Sequence, residues 1–202
     1  MITYKNNTIY QGDIKMILAR KTKISKWNRA KNECIESNES GAVSIEILNV
    51  DTLNADVITS ELRTSSNNLS TWIVGESLDN DDGISDVVIA LTTGTNIAHI
   101  ETIDLLFIDT NDVNIFKFDN TEEGDTSVEK LKDKHYNICN INYKQLGEIS
   151  KYFMQQVMKK KFIKLSKGEV KNIIKNALEN NIVTIENFAP SIHDEIIKIQ
   201  NS

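Results

Sequence analysis

Apolar and polar positions alternate with two different periods along this chain. Val43, Ile45 and Ile47 alternate with Ser44 and Glu46, a period of two that predicts a strand. Leu69 to Val74 carries Trp72 and stops at Gly75, and Ile103 to Ile108 is an almost unbroken apolar run; both predict strands, the second a buried one. Val113 to Phe118 predicts a further strand after the turn Asp109-Thr110-Asn111-Asp112. Ile2-Thr3-Tyr4 and Thr8-Ile9-Tyr10 flank Lys5-Asn6-Asn7 and predict a small hairpin, because Asn tolerates positive φ.

Spacings of three and four predict helices. Ile14, Ile17 and Leu18 suggest one from Asp13, followed by another over 24–36 with Trp27, Ala30 and Cys34. Further helices are predicted over 53–63 and over 83–93, the latter through Ile84, Val87, Val88 and Leu91 with Gly94 at its end. After Gly124 the chain reads as helical to its end. Val128, Leu131, His135 and Ile138 share one face, as do Leu146, Ile149, Phe153 and Val157. Ser166 with Glu169 forms a capping box, and Pro190 opens a last helix.

The order strand, helix, strand from 69 to 108 suggests a βαβ unit with parallel strands. The expected fold is therefore α/β (or α+β): a small mixed sheet with a βαβ unit over 1–120, with a helical part over 121–202 packed on it as one compact domain. A chain of 202 residues that is 40% apolar and 26% charged can bury a sizeable core without disulfides or metals.

Charge changes this picture. The net charge is −6, but residues 76–133 hold fifteen acidic and three basic side chains, net −12. Residues 1–36 are +5 and residues 151–202 are +4. An acidic block repels nucleic acid and attracts basic partners. Asp79, Asp81, Asp82 and Asp86 of this block are candidate partner-binding residues, and Trp72 nearby is a candidate aromatic anchor for a protein partner, with Phe118 as another. The competing basic feature runs through Lys159, Lys160, Lys161, Lys164, Lys167 and Lys171, read as a Lys-rich helical stretch over 151–175 that could contact phosphates. It holds no Arg, so bidentate reading of bases is not expected there.

Candidate chemistry is sparse. Asp79-Asn80-Asp81-Asp82-Gly83 resembles the start of a calcium loop, but counting from Gly83 puts Leu78 and Ile89 where carboxylates are needed. The acids instead suit the positive end of the helix that follows. His99, His135 and His193 have no ligand spacing, so no metal site or cofactor is expected. His135, on an apolar face, reads as a hydrogen-bonded core histidine. His99 with Glu101 and Asp104 is the only acid–base grouping, and with His135 it defines an enzyme alternative with a dispersed site. Arg63 before Thr64-Ser65-Ser66 reads as a helix end and turn. Asp13-Ile14-Lys15 and Glu169-Val170-Lys171 carry a nuclease-like tripeptide in helical contexts. No nucleophile elbow, dinucleotide fingerprint or phosphate loop is present. Cys34 and Cys139 read as reduced thiols.

Leu62-Arg63-Thr64-Ser65 and Asn68-Leu69-Ser70-Thr71-Trp72, followed in order by Val88-Ile89-Ala90-Leu91, Ile103 to Asp109, Gly124-Asp125-Thr126 and Lys134-His135-Tyr136, resemble a pattern in uncharacterised bacterial hypothetical proteins. The resemblance covers roughly 62–150 and implies a bacterial, cytosolic setting but no activity. The N-terminus lacks the apolar core of a signal peptide, and no run reaches membrane-spanning length. The expectation is a cytoplasmic, non-enzymatic interaction protein with a basic partner and no membrane, such as an accessory or immunity-type component of a bacterial or phage conflict system. Nucleic-acid binding is the first alternative.

Overall fold

The computed structural model describes residues 16–36, 53, 55–78, 81–112, 116–120 and 124–202. The hairpin predicted over 2–10 and the strand predicted over 43–47 lie outside them.

The described chain is mixed α/β. Its strands are β1 (Ile17–Lys21), β2 (Leu69–Gly75), β3 (Ile103–Asp109), β4 (Lys117–Asn120), β5 (His135–Cys139) and β6 (Phe162–Leu165). Its helices are α1 (Ile24–Glu36), α2 (Ala55–Glu61), α3 (Asp81–Thr92), α4 (Glu129–Lys132), α5 (Tyr143–Met158), α6 (Lys167–Glu179) and α7 (His193–Gln200). The six strands form one antiparallel sheet in the order β4-β5-β2-β1-β3-β6.

Side chains alternate between the two faces of the sheet. Ile17, Ala19, Trp72, Val74, Leu105 and Phe107 join one core with Ile84 and Val88 of α3, Val170 and Ile174 of α6, and Ile196 of α7. Leu18, Leu69, Leu106, Ile108 and Ile138 join the other with Ile24 and Trp27 of α1 and Ile149 and Phe153 of α5. Helices thus cover both faces, and the central strands have no solvent-facing side to mark their period.

That burial explains three corrections. Ile17 and Leu18 belong to the central strand β1, not to a helix; Ile17, Leu18 and Ala19 are all buried, on alternate faces. Residues 135–139 form β5, buried throughout, so His135 and Ile138 are not on a helix face with Val128 and Leu131. The C-terminal part contributes β5 and β6 to the same sheet and is not purely helical. The strands joined through α3 do run the same way, because β2 and β3 are each antiparallel to β1, but β1 lies between them. The unit is a split βαβ, not an adjacent parallel pair.

Local chemistry sets the element ends. Ser66 and Asn67 have φ of 50° and 62° between Ser65 and Asn68, which exchange backbone hydrogen bonds of 3.0 and 2.9 Å. That tight turn feeds β2. Asn142 and Gln145 form a capping box on α5, as Ser166 and Glu169 do on α6. Gly124 is required by contact: a Cβ there would lie 2.5 Å from Trp72 Cη2 and 2.9 Å from His135 Cβ.

Candidate functional site

The acidic residues of 76–133 divide into those engaged within the fold and those facing outward. Asp86 forms an ion pair with Lys134, tying α3 to the start of β5. Glu101 accepts from Lys21 at 2.7 Å, and Glu129 pairs with Lys132 at 2.7 Å. Asp104 accepts from the Ile24 amide at 3.0 Å, meeting an orphan N–H at the start of α1. Asp109 accepts from the Asn111 amide and Asp125 from the Thr95 amide.

Asp81 and Asp82 are exposed on the first turn of α3 and make no ion pair among the described residues. Their carboxylates favour the positive end of that helix and still point their charge outward. Gly75 and Asp109 share the register of Ile17 at one end of the sheet. Glu76, exposed, therefore follows β2 at the end where Asp109 closes β3 and the exposed Asp112 follows it, about 10 Å away across two strand spacings. Asp79 lies outside the described residues.

Trp72 is not part of that surface. It is 4% exposed, with its ring edge-on to His135 at 4.9 Å between centroids. An exposed anchor was expected, and the face of β2 that carries Trp72 is instead covered by α3 and by the close backbone at Gly124. Phe118 is half-buried and packs on the opposite core.

The lysine run is divided as well. It is not one helix: Lys159 and Lys160 follow α5, Lys161 and Lys164 belong to the β6 edge, and only Lys167, Lys171 and Lys175 are on α6. Lys167 and Lys171 both reach Glu195 of α7, at 3.0 and 3.1 Å, and Lys175 reaches Glu179. Burial opposes the Glu195 charge. The Ile100 amide, Lys167 and Lys171 nevertheless hold its carboxyl down at about 2.

Of the residues of the enzyme alternative, His135 and Asp104 do not come together. His135 stands level with Trp72, Ala19 and Phe107 across β5, β2, β1 and β3. Three strand spacings and three residues of rise put its Cα about 17 Å from that of Asp104. Their side chains also face opposite sides of the sheet. His135 is buried, with Nε2 2.7 Å from Ser70 Oγ. His99 is exposed and stands 4.0 Å from Glu101. Cys139 is buried, which pushes its thiol up. Among the described residues no three His, Cys, Asp or Glu side chains are grouped so as to hold a metal ion, and no helix is long and apolar enough to cross a membrane.

A polar cluster that sequence spacing does not reveal lies where α2 meets β1 and α1. The Glu61 carboxylate is nearly buried. It accepts from Thr22 Oγ1 at 2.8 Å, from the Lys23 amide at 2.7 Å and from Lys26 Nζ at 2.9 Å. Trp27 Nε1 donates to Thr22 Oγ1 at 2.9 Å. Burial works to raise the Glu61 carboxyl; the hydrogen bonds from Lys26, Lys23 and Thr22 and the charge of Lys26 outweigh it and leave it lowered. Arg20 donates to the Ser70 carbonyl at 2.7 Å and to the Glu61 carbonyl at 3.0 Å. Burial pulls its guanidinium down to about 10 against the opposing charge of Glu61. The cluster fastens α2 to the sheet.

No family model, curated protein or solved structure matches this chain.

Proposed function

We propose that the protein is a non-enzymatic interaction protein whose acidic face, built on Asp81 and Asp82 at the start of α3, receives a partner protein with a basic surface. The setting that fits is the bacterial cytoplasm, in an accessory or immunity-type role within a conflict system. One observation carries the proposal: Asp81 and Asp82 stay exposed and without an ion pair among the described residues, while Asp86, Glu101 and Glu129 of the same acidic block are paired internally. Carboxylates held at a rigid helix start raise the encounter rate with a positive surface and reject negative ones.

Tagged protein is retained on resin and challenged with nuclease-treated and untreated lysate of the native host, at low and moderate salt. A protein that stays bound after nuclease treatment and is released by salt is the expected result. Recovery of nucleic acid alone, removed by nuclease, would overturn the proposal and favour the lysines that follow α5.

A further inference from the structure

The lysines of the basic run that lack an acidic partner among the described residues collect at the open edge of the sheet. Lys159, Lys160, Lys161 and Lys164 are all exposed. Among the described residues β6 closes the strand order on that side and pairs with β3 alone. The Phe107 amide donates to the Lys161 carbonyl at 3.0 Å, which fixes which β6 residues bond inward. Lys161, Ile163 and Leu165 turn their backbone groups to β3. By the alternation of an antiparallel ladder, Phe162 and Lys164 turn theirs outward.

The lysines lie on both faces of this edge. Ile163 packs on the core shared with α3 and α6, so Lys161, two residues before it, projects on that side. Phe162 packs on the other core, and Lys164 Nζ stands over its ring, 6.0 Å from the centroid. Lys160 adds a backbone oddity. Its φ is 56°, at the position after a helix end where Gly or Asn is preferred. At three other left-handed positions the chain uses Asn67, Asn140 and Asn181.

We propose that the open edge of β6 receives an extended acidic segment of a partner protein by strand addition. The Phe162 and Lys164 amides and carbonyls continue the ladder into that segment, and Lys161 and Lys164 face its alternate side chains, one on each face. Lys159 and Lys160 stand at its entry. Lysines on both faces match a strand, whose side chains alternate; a phosphate backbone is served by a one-sided stripe. A second copy of β6 is disfavoured, because edge-to-edge pairing would set lysine against lysine.

The test uses the full chain labelled with 15N, titrated with peptides of roughly eight residues in which Glu-Glu pairs separated by Val or Thr put carboxylates on both faces of the strand. Three comparison probes are the same peptides N-methylated at alternate residues, their Lys-for-Glu counterparts, and an oligothymidylate of equal length. The expected result is binding of the acidic peptides with shifts at the Phe162 and Lys164 amides. N-methylation removes the ladder and abolishes binding. Lys161→Glu with Lys164→Glu weakens it about tenfold or more. Lys160→Asn weakens it about twofold while leaving the fold intact. Equal affinity for N-methylated peptides, tighter binding of oligothymidylate, or no binding by any acidic peptide would each overturn the proposal.

Discussion

Replacing Glu61 by alanine should cost more stability than any substitution of a surface acid in this protein. Three donors hold the carboxylate closely, with the Ser60 hydroxyl farther off at 3.5 Å, and they do not weigh equally. Lys26 is about a third exposed and recovers water when its partner goes, so its ion pair counts for at most about 1 kcal/mol. Thr22 is buried, its hydroxyl also receives the Trp27 indole, and the Lys23 amide points at the same oxygen. A hydrogen bond to a charged group contributes about 1.5 kcal/mol or somewhat more, and both donors lose their acceptor together. The expected loss is about 3–4 kcal/mol. Glu61→Gln keeps a neutral acceptor in the same place and should cost about half as much. For a chain of this length the alanine variant should melt about 10 °C lower. Urea unfolding at constant m-value measures both variants. The folded carboxyl lies below its unfolded value of about 4.3. The difference between wild type and Glu61→Gln is therefore fully present above that pH and shrinks as pH falls below it. An alanine variant within about 1 kcal/mol of wild type, or a glutamine variant as damaged as alanine, would refute this account of the cluster.

Gly124→Ala should destabilise the protein by about 1–3 kcal/mol, because the added methyl meets the Trp72 ring and His135; thermal unfolding checks it. Arg20→Lys loses the fork that spans the Ser70 and Glu61 carbonyls and should cost about 2 kcal/mol in urea despite keeping the charge. Glu195, held at about 2 against an unfolded value of about 4.3, contributes stability that is complete above the higher value and lost as pH falls through the lower. Acid titration of Glu195→Gln should lack that component, and an unchanged acid limb would contradict it. Asp81→Lys with Asp82→Lys should cost about 1–2 kcal/mol, because both carboxylates favour the positive end of α3 although neither makes an ion pair among the described residues; urea unfolding checks it.

How much was legible in the sequence depended on whether an element had a solvent face. α1, α5 and α6 show their 3.6-residue period because one side of each meets water, and the capping boxes at Asn142 and Ser166 mark two of their starts. β1 and β5 are covered on both faces. Ile17, Leu18 and Ala19 therefore present no alternation, and Ile14, Ile17 and Leu18 imitate helical spacing. Misplacing β1 also hid the strand between β2 and β3. β6 is only four residues long and sits among lysines that read as one helix. The acidic start of α3 was legible because helix-opening acids are a local signal. The Glu61 cluster and the Ser70–His135 contact join residues 39 and 65 apart, and no local spacing announces them.

The central claim is that the acidic start of α3 is a docking face, and the most direct measurement compares wild type with the Asp81→Lys, Asp82→Lys variant in the nuclease-treated co-purification, quantified by mass spectrometry. The account predicts a protein enriched on wild type and lost from a variant that remains folded. The same proteins retained equally by both would contradict it.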